Sequence, residues 1–490
     1  MSRAAQRLYT AAGVRELDRV AIEECGIDAW ELMRRAGLVG YRLMRHAFPR
    51  ARRIAVFCGG GNNGGDGYVL AALARERGME VELVATGQPK SAEARRALAE
   101  FRAAGGMVKN GTHEVPAGTE VIVDALLGTG LEKAPAGEYG AAIARINASH
   151  RPVIALDIPS GLHADTGTAL EPCVRAGATA TFIGRKLGCF TGDGRAVVGR
   201  LHFDDLGVPG EIYDHVECVA TLIDPAPFAT FVRARSPVAH KGDAGRVLVV
   251  GGNHGMPGAP CMAARAAHRS GAGLVYLATR SKPENLVTNT LESIAYCLES
   301  ADGLASMMEK ADVVAIGPGL GRDPWAGAVW QAVIAGGRPL VVDADALYFL
   351  AASPIRREDW VLTPHPGEAA ALLGIGTAEV QADRVSAARA LRDRYGGVIV
   401  LKGPGTLVLG ESLHVCDGGN AGMASGGMGD VLTGVIAALR GQGMVAEDAA
   451  CYGVWCHARA GDLAAPRGLV GLTAGALGDA LADVVGAPAA

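Results

Sequence analysis

Asp430 closes the stretch Gly426-Gly427-Met428-Gly429-Asp430, which lies within a longer glycine-rich run from Gly418 to Gly434. Glycines lack a Cβ and let a backbone come close to a ligand. The residues that follow, from Val431-Leu432 through Val435-Ile436 to Leu439, recur at helical spacing. A glycine loop feeding a helix start offers unpaired N–H groups and the positive end of the helix dipole, which suits a phosphate. A carboxylate held there is a candidate base for a hydroxyl that attacks or carries a phosphoryl group. The plain alternative is a turn with an aspartate cap.

A second set of chemistry-bearing residues lies in the first half of the chain. Gly59-Gly60-Gly61 leads into Asn62-Asn63-Gly64-Gly65-Asp66-Gly67. Asp124 ends the apolar run Val121-Ile122-Val123, and Asp157 ends Val153-Ile154-Ala155-Leu156 before Ile158-Pro159-Ser160-Gly161. Asn and Asp oxygens are hard ligands for an alkali or alkaline-earth cation. Asn and Asp also favour turns with positive φ, and either aspartate alone could be a helix cap. Together they make a candidate site. Gly59, Gly61 and Gly64 satisfy G-x-G-x-x-G, yet the acidic residue of a dinucleotide fingerprint is missing, because the second strand ends Ala85-Thr86-Gly87.

The elements that must carry these residues read as α/β. Val14 to Ala47 is helical in pattern, a strand spans Ile54 to Cys58, a helix runs from Tyr68 to Arg77, and a second strand covers Val81 to Ala85. That is a βαβ unit, so a parallel, doubly wound sheet is expected. At 490 residues the chain exceeds one ordinary core, and the boundary is placed in the proline-bearing segment Leu222 to Pro237, giving domains 1–222 and 223–490. Beyond it, buried-type strands end in Gly317-Pro318-Gly319, Asp343-Ala344-Asp345, Thr363-Pro364-His365 and Lys402-Gly403-Pro404-Gly405-Thr406. No G-x-x-x-x-G-K-[ST] is present, so a P-loop is excluded; the Lys402 loop is read as a phosphate cradle or a plain solvated turn. His365 is read as a ligand contact or a buried, hydrogen-bonded histidine.

Net charge of −4 with no Lys/Arg block argues against nucleic acid. No run approaches the roughly 18 apolar residues that span a bilayer, and no apolar signal region opens the chain. Ten scattered cysteines without C-x-x-C read as reduced thiols of a cytoplasmic protein. A homo-oligomer is the expected assembly.

Asn62-Asn63-Gly64-Gly65-Asp66-Gly67, Asp124 to Leu131 (DALLGTGL) and Asp157 to Gly161 (DIPSG) resemble the N-terminal YjeF-type domain, the NAD(P)H-hydrate epimerase, over roughly residues 10 to 215. The resemblance implies a Rossmann-like sheet and a potassium ion held by Asn63, Asp124 and Ser160. It implies substrate contacts from Asn62 to Asp66, from Gly128, Thr129, Gly130, Leu131, Glu132, Lys133 and Ala134, and from Asp157, which acts in acid/base chemistry. Gly60 stands where many members carry proline. From about 236 to 485, the motifs HKGDAG, GGNHGMPGA, GPGLG, DADAL, TPHPGE, KGPGT and NAGMASGGMGD resemble the dehydratase of the same repair system, a ribokinase-like fold. There Lys402, Gly403, Pro404, Gly405, Thr406 and Gly429 would bind the nucleotide. Ala259, Gly319, His365 and Asp430 would bind the hydrate, with Asp430 catalytic and Mg2+ accompanying ADP as phosphoryl donor. Asn253 replaces a common serine and Ala421 a common proline.

The implied function is metabolite repair. Hydrated NAD(P)H carries a hydroxyl at C6 of its ring, and phosphorylation turns that hydroxyl into a leaving group. Two rivals remain at this stage. A ribokinase-like kinase would release a stable phosphorylated alcohol, and a nucleotide-binding scaffold would leave its ligand unchanged.

Overall fold

The protein, described by a computed structural model, divides into two compact units, Met1–Thr221 and Leu222–Ala490. The structure describes residues 6–110, 114–233, 238, 240–280, 290–465 and 468–486. Residues 234–237 of the proline-bearing boundary segment lie outside that set.

The strands up to the division are β1 (Arg7–Tyr9), β2 (Arg53–Gly59), β3 (Glu80–Thr86), β4 (Val108–Asn110), β5 (Val121–Ala125), β6 (Val153–Leu156), β7 (Ala178–Phe182), β8 (Arg185–Lys186), β9 (Arg200–Asp204) and β10 (Ala220–Leu222), whose last residue lies past it. Seven of them form one all-parallel sheet in the order β4-β3-β2-β5-β6-β7-β9. Along β2, Ile54, Val56 and Cys58 enter one hydrophobic cluster while Ala55 and Phe57 enter another. That period of two, apolar on both sides, is what a sheet covered on both faces requires. The sheet grows one way from β2 to β4 and the other way from β5 to β9. The carboxyl ends of β2 and β5 therefore flank a topological switch point.

Two sequence expectations change here. The helical pattern from Val14 to Ala47 is broken: a helix at Ala11–Arg19 continues as a π-helical turn over Val20–Glu24, and a second helix occupies Ala29–Ala47. Gly26 takes φ of 70° between them, and Asp28 caps the second helix by accepting from Trp30 N at 2.9 Å. The Asn62 to Gly67 motif is not a loop preceding a helix at Tyr68. It forms the opening turns of the helix Asn62–Glu76, with Gly61 extended at the cap. Its glycines serve close packing: a Cβ at Gly64 would lie 2.0 Å from the Gly59 carbonyl oxygen, and one at Gly67 would lie 2.6 Å from Ala125 Cβ.

The C-terminal unit contains β11 (Arg246–Gly251), β12 (Leu274–Thr279), β13 (Ile294–Cys297), β14 (Val313–Ile316), β15 (Leu340–Val342), β16 (Trp360–Leu362), β17 (Val398–Leu401), β18 (Leu407–Leu409) and β19 (Leu413–Val415). They run in the order β13-β12-β11-β14-β15-β16-β17-β18-β19, parallel as far as β17 and closed by an antiparallel hairpin. This is the mixed α/β architecture expected of a ribokinase-like unit. Its central helix, Met428–Gly441, is buried along most of its length from Val431 to Leu439. It crosses the helix Gly258–Arg269 so closely that a Cβ at Gly434 would fall 2.0 Å from the Ala263 carbonyl oxygen. None of the ten cysteines is paired. No helix among the described residues is long and apolar enough to cross a membrane.

Candidate active sites

At the switch point of the N-terminal unit, three segments converge through their own hydrogen bonds. Asp124, fully buried near the end of β5, accepts from Ser160 N at 2.8 Å, Ser160 Oγ at 2.7 Å and Leu126 N at 3.2 Å. Ser160 Oγ also accepts from Leu127 N at 2.9 Å, and Asn63 Nδ2 donates to Leu127 O at 2.9 Å. Asn63 Oδ1 is buried and has no hydrogen-bond partner among the described residues. Burial pushes the Asp124 carboxyl up to about 6, although the bonds from Ser160 and Leu126 pull it down. A buried oxygen without a donor beside a carboxylate short of compensation is an arrangement that a cation would satisfy. Asn63, Asp124 and Ser160 therefore fit a weakly charged, hard cation.

Asp157 follows β6 directly and takes φ of 65°, a strained conformation that aspartate tolerates better than most residues. Its N–H is fixed to Ala180 O at 2.7 Å. Its side chain accepts from Thr129 N at 3.2 Å and forms an ion pair with Lys186. Lys186 also donates to Thr181 Oγ1 at 2.9 Å and Phe182 O at 3.2 Å. The lysine is 1% exposed and the aspartate 16%, so Asp157 is the member of the pair open to a ligand. A Cβ at Gly128 would stand 3.0 Å from Asp157 Oδ2 and 3.4 Å from Asn63 Cβ, which joins the two halves of the site. From Thr129 to Ala134 the loop after β5 forms a largely exposed rim. Two further carboxyls surround the ion pair. Burial raises Asp66 well above the carboxylate range, with Asp157 and Asp18 adding to the rise. Burial likewise lifts Asp18 to about 6, opposed by Lys186.

Lys186 and Asp18 escaped the sequence reading. The only signal for Lys186 was a lysine just past the apolar run Thr181 to Ile183.

In the C-terminal unit Asp430 occupies the first turn of the helix Met428–Gly441, and the left-handed Gly427 forms its cap at φ of 88°. Among the described residues no hydrogen bond reaches the Asp430 carboxylate. Burial, reinforced by Asp343 and opposed by Lys402, pushes it up to about 7. Lys402 Nζ donates to Asp343 Oδ1 at 2.6 Å and lies 3.7 Å from Glu368 Oε2. Thr433 Oγ1 donates to the other Asp343 oxygen at 2.8 Å. Burial alone would raise Asp343, but Lys402 overrides it and holds the carboxyl below its ordinary value. The Lys402 side chain that sequence reading aimed at a phosphate is thus engaged by Asp343. A Cβ at Gly429 would lie 3.2 Å from its Nζ, so the glycine helix start and the Lys402 loop are neighbours.

His365 is not buried. It caps the helix Pro366–Leu373, with Nδ1 accepting from Gly367 N at 3.0 Å and Glu368 N at 3.2 Å, while Glu368 Oε2 accepts from His365 N at 2.7 Å. The prolines that flank it end the strand and open that helix, leaving the ring half-exposed on the rim. Gly319 and Ala259 adjoin one another, since a Cβ on Gly319 would be 3.3 Å from that of Ala259. The Gly317–Gly321 loop meets the acidic pair through Gly321 N, which donates to Asp345 Oδ2 at 2.9 Å. Asp343, Glu368, Thr433 and His457 were missing from the sequence-derived set. His457 is buried beneath the helix start, its Nε2 2.9 Å from Met428 O.

Two sites of this kind, each with an aspartate at the rim of a parallel sheet and a largely buried lysine beneath it, define a bifunctional α/β enzyme. Residues 247–483 match the family model of NAD(P)H-hydrate dehydratase, and residues 29–188 match that of the YjeF-related protein N-terminus. The bifunctional NAD(P)H-hydrate repair enzyme Nnr of Escherichia coli K12 is 44% identical over 467 residues, covering 94% of this chain and 90% of that one. Hypothetical protein SMU.573 of Streptococcus mutans, a solved structure, is 29% identical with a TM-score of 0.50 and covers 54% of this chain and 98% of that one. A structure of ADP/ATP-dependent NAD(P)H-hydrate dehydratase from Bacillus subtilis is 30% identical with a TM-score of 0.48, covering 52% of this chain and 95% of that one. The chain belongs to the family of bifunctional NAD(P)H-hydrate repair enzymes.

Proposed function

We propose that the N-terminal unit interconverts the R and S forms of hydrated NADH and NADPH. The C-terminal unit then dehydrates the S form at the expense of ADP, giving NAD(P)H, AMP and phosphate. The observation that carries this reading is the unpaired Asp430 at the glycine-rich helix start, poised at about 7 beside the Lys402–Asp343 pair. Asp430 takes the proton of the C6 hydroxyl as its oxygen receives the phosphoryl group. The N–H groups from Gly426 to Gly429 hold the transferring charge. The C6–O bond then breaks with phosphate carrying away the electron pair. The ring nitrogen supplies electrons, and loss of a C5 proton restores the dihydronicotinamide.

In the N-terminal unit the Asp157–Lys186 pair carries one transferable proton, which passes through Asp157 to the departing C6 hydroxyl and is recovered by Asp157 from the water that adds to the opposite face. Lys186 holds that carboxylate in place. Asn63, Asp124 and Ser160 would hold potassium, whose part is to neutralise Asp124 and anchor the pocket. The residues around Asp430 build no cage of their own for a divalent ion: among the described residues no three His, Cys, Asp or Glu side chains cluster as metal ligands. Magnesium would therefore arrive with the ADP phosphates.

We place the functional boundary at 222/223, the enzyme in the cytoplasm and its assembly in a homo-oligomer. The deciding assay is recovery of reduced-nicotinamide absorbance from hydrated NADH with ADP present. A stable phosphorylated hydrate, or no change in the hydrate, would overturn the reading. Residues 1–218 and 226–490 expressed separately should epimerise and dehydrate, respectively; dehydration of the R form by the second fragment would refute the division of labour.

A further inference from the structure

The resemblance assigns nucleotide binding to the Lys402–Thr406 loop; we carry that assignment into the proposed function, and the role inferred for Arg384 rests on it. Arg384 opens the helix Arg384–Tyr395 and is completely buried. Both facts are costly, because a cation at a helix start faces the positive end of the dipole and a guanidinium loses its hydration when buried. It donates through Nη2 to Leu401 O at 3.1 Å and Lys402 O at 3.2 Å, and through Nη1 to Gln381 Oε1 at 2.8 Å. Gly403 takes φ of 132°, and a Cβ there would stand 3.0 Å from Arg384 Nη1. The guanidinium thus fills the space directly under the loop.

We propose that Arg384 is the positioning residue of the nucleotide loop, drawing the Leu401 and Lys402 carbonyls inward so that the Gly403 N–H faces out toward a nucleotide phosphate. In a trans peptide the C=O and the following N–H point in opposite directions. With the Lys402 carbonyl turned to the buried guanidinium, the Gly403 N–H points to the exposed side of the loop. No acceptor among the described residues takes that N–H. Pro404 has no N–H, and the Gly403 carbonyl is occupied by Thr406 Oγ1 at 3.0 Å, so Gly403 N is the first donor the loop offers. Arg384 also supplies charge. Lys402 is matched by Asp343 and Glu368, whereas Arg384 brings a second cation directly behind the phosphate pole. Burial lowers it only to about 10, so it stays charged at neutral pH.

The test is steady-state dehydration by the full chain carrying Arg384→Met and Arg384→Lys, with ADP varied. Loss of a charge-assisted contact should raise the KM for ADP roughly 10- to 100-fold in Arg384→Met, with kcat within about threefold. Arg384→Lys should recover part of that loss. Epimerisation by the same preparations should be unchanged. A wild-type KM in either variant, or kcat and thermal midpoint falling together with KM unmoved, overturns the proposal. If Arg384→Met does not fold, Arg384→Lys decides alone, since one ammonium cannot span both carbonyls and Gln381. Calorimetry of ADP on the wild-type chain and on Thr406→Val separates the two levels. No binding by wild type, or no weakening in Thr406→Val, rejects the nucleotide-loop reading itself, whereas weakening there with a wild-type KM in the Arg384 variants rejects only the role of Arg384.

Discussion

In the N-terminal unit the buried lysine rests on the carboxylate assigned to the reaction, since Lys186 pairs with Asp157. In the C-terminal unit Lys402 rests on a different carboxylate, Asp343, and Asp430 has no hydrogen-bond partner among the described residues. Both units thus hold an aspartate and a lysine at the rim of a parallel sheet, but they distribute the charge differently. A site that must give and regain a proton in place gains from a fixed ion pair that orients the carboxylate. A site that must accept a proton as a phosphoryl group arrives gains from a carboxylate whose burial brings it to about 7. Backbone strain is distributed differently too. It falls on Asp157 itself in one unit, at φ of 65°, and on Ala344 next to Asp343 in the other, at φ of 48°.

The sharpest way to break this contrast is Asp430→Asn. Dehydration should fall by about two to four orders of magnitude, the usual cost of losing a general base, while epimerisation continues. Absorbance recovery from the S hydrate with ADP reads the first, and chromatographic R/S ratios read the second. Near-wild-type dehydration would remove Asp430 from the mechanism.

Next in size is the pair Asp157→Ala and Asp124→Ala. The first should stop epimerisation and leave cation binding intact, because Asp157 holds Thr129 and Lys186 rather than the Asn63 pocket. The second should weaken both, since Asp124 carries the negative charge of that pocket. Potassium titration followed by calorimetry separates them, and loss of the ion in Asp157→Ala would merge two functions that are here kept apart.

The pH dependence is a smaller effect. A base works only when deprotonated, so dehydration at low substrate should decline as pH falls through about 7. The stability linkage has the opposite sense. Asp430 binds its proton more tightly in the folded chain than in the unfolded one, so it lowers stability as pH rises from the ordinary aspartate range to about 7. Asp430→Asn should therefore melt higher than wild type at pH 8 and match it near pH 4. A pH-independent difference would mean that the carboxyl is not perturbed.

The smallest expected effect is that of Ala344→Gly. Relief of a non-glycine residue at positive φ should make it neutral or stabilising by up to about 1 kcal/mol, measured by chemical denaturation. Clear destabilisation would show that the strain at Ala344 is not held against the backbone's preference.

Periodicity made the parallel sheets readable, because strands such as Val121–Ala125 and Val398–Leu401 are continuous apolar runs of the kind covered on both faces. Asp124, Asp157 and Asp430 stood out as charges abutting those runs or a glycine stretch. Their partners did not. Asp343 and Lys402 are 59 residues apart, and only the adjacency of β15, β16 and β17 brings them together. Arg384 sits in Arg384-Val385-Ser386-Ala387-Ala388-Arg389-Ala390-Leu391-Arg392, a charge pattern indistinguishable from that of an exposed helix face. The glycines after Asn63 misled for a physical reason: glycine marks both turns and tight packing, and only the neighbour that a Cβ would strike tells the two apart.

The helix Asn62–Glu76 opens with Asn62, Asn63, Gly64, Gly65, Asp66 and Gly67, and each glycine weakens a helix by about 1 kcal/mol relative to alanine. Those turns are held by packing and by the Asn63 contact rather than by intrinsic propensity, so they are the part of the helix closest to local unfolding. Filling the pocket with cation and hydrate adds contacts to turns whose intrinsic helical propensity is low. Amide hydrogens there should exchange with solvent quickly in the ligand-free protein and slowly in the loaded one. The helix start thereby serves as a built-in gauge of occupancy, legible by deuterium uptake without any label or turnover.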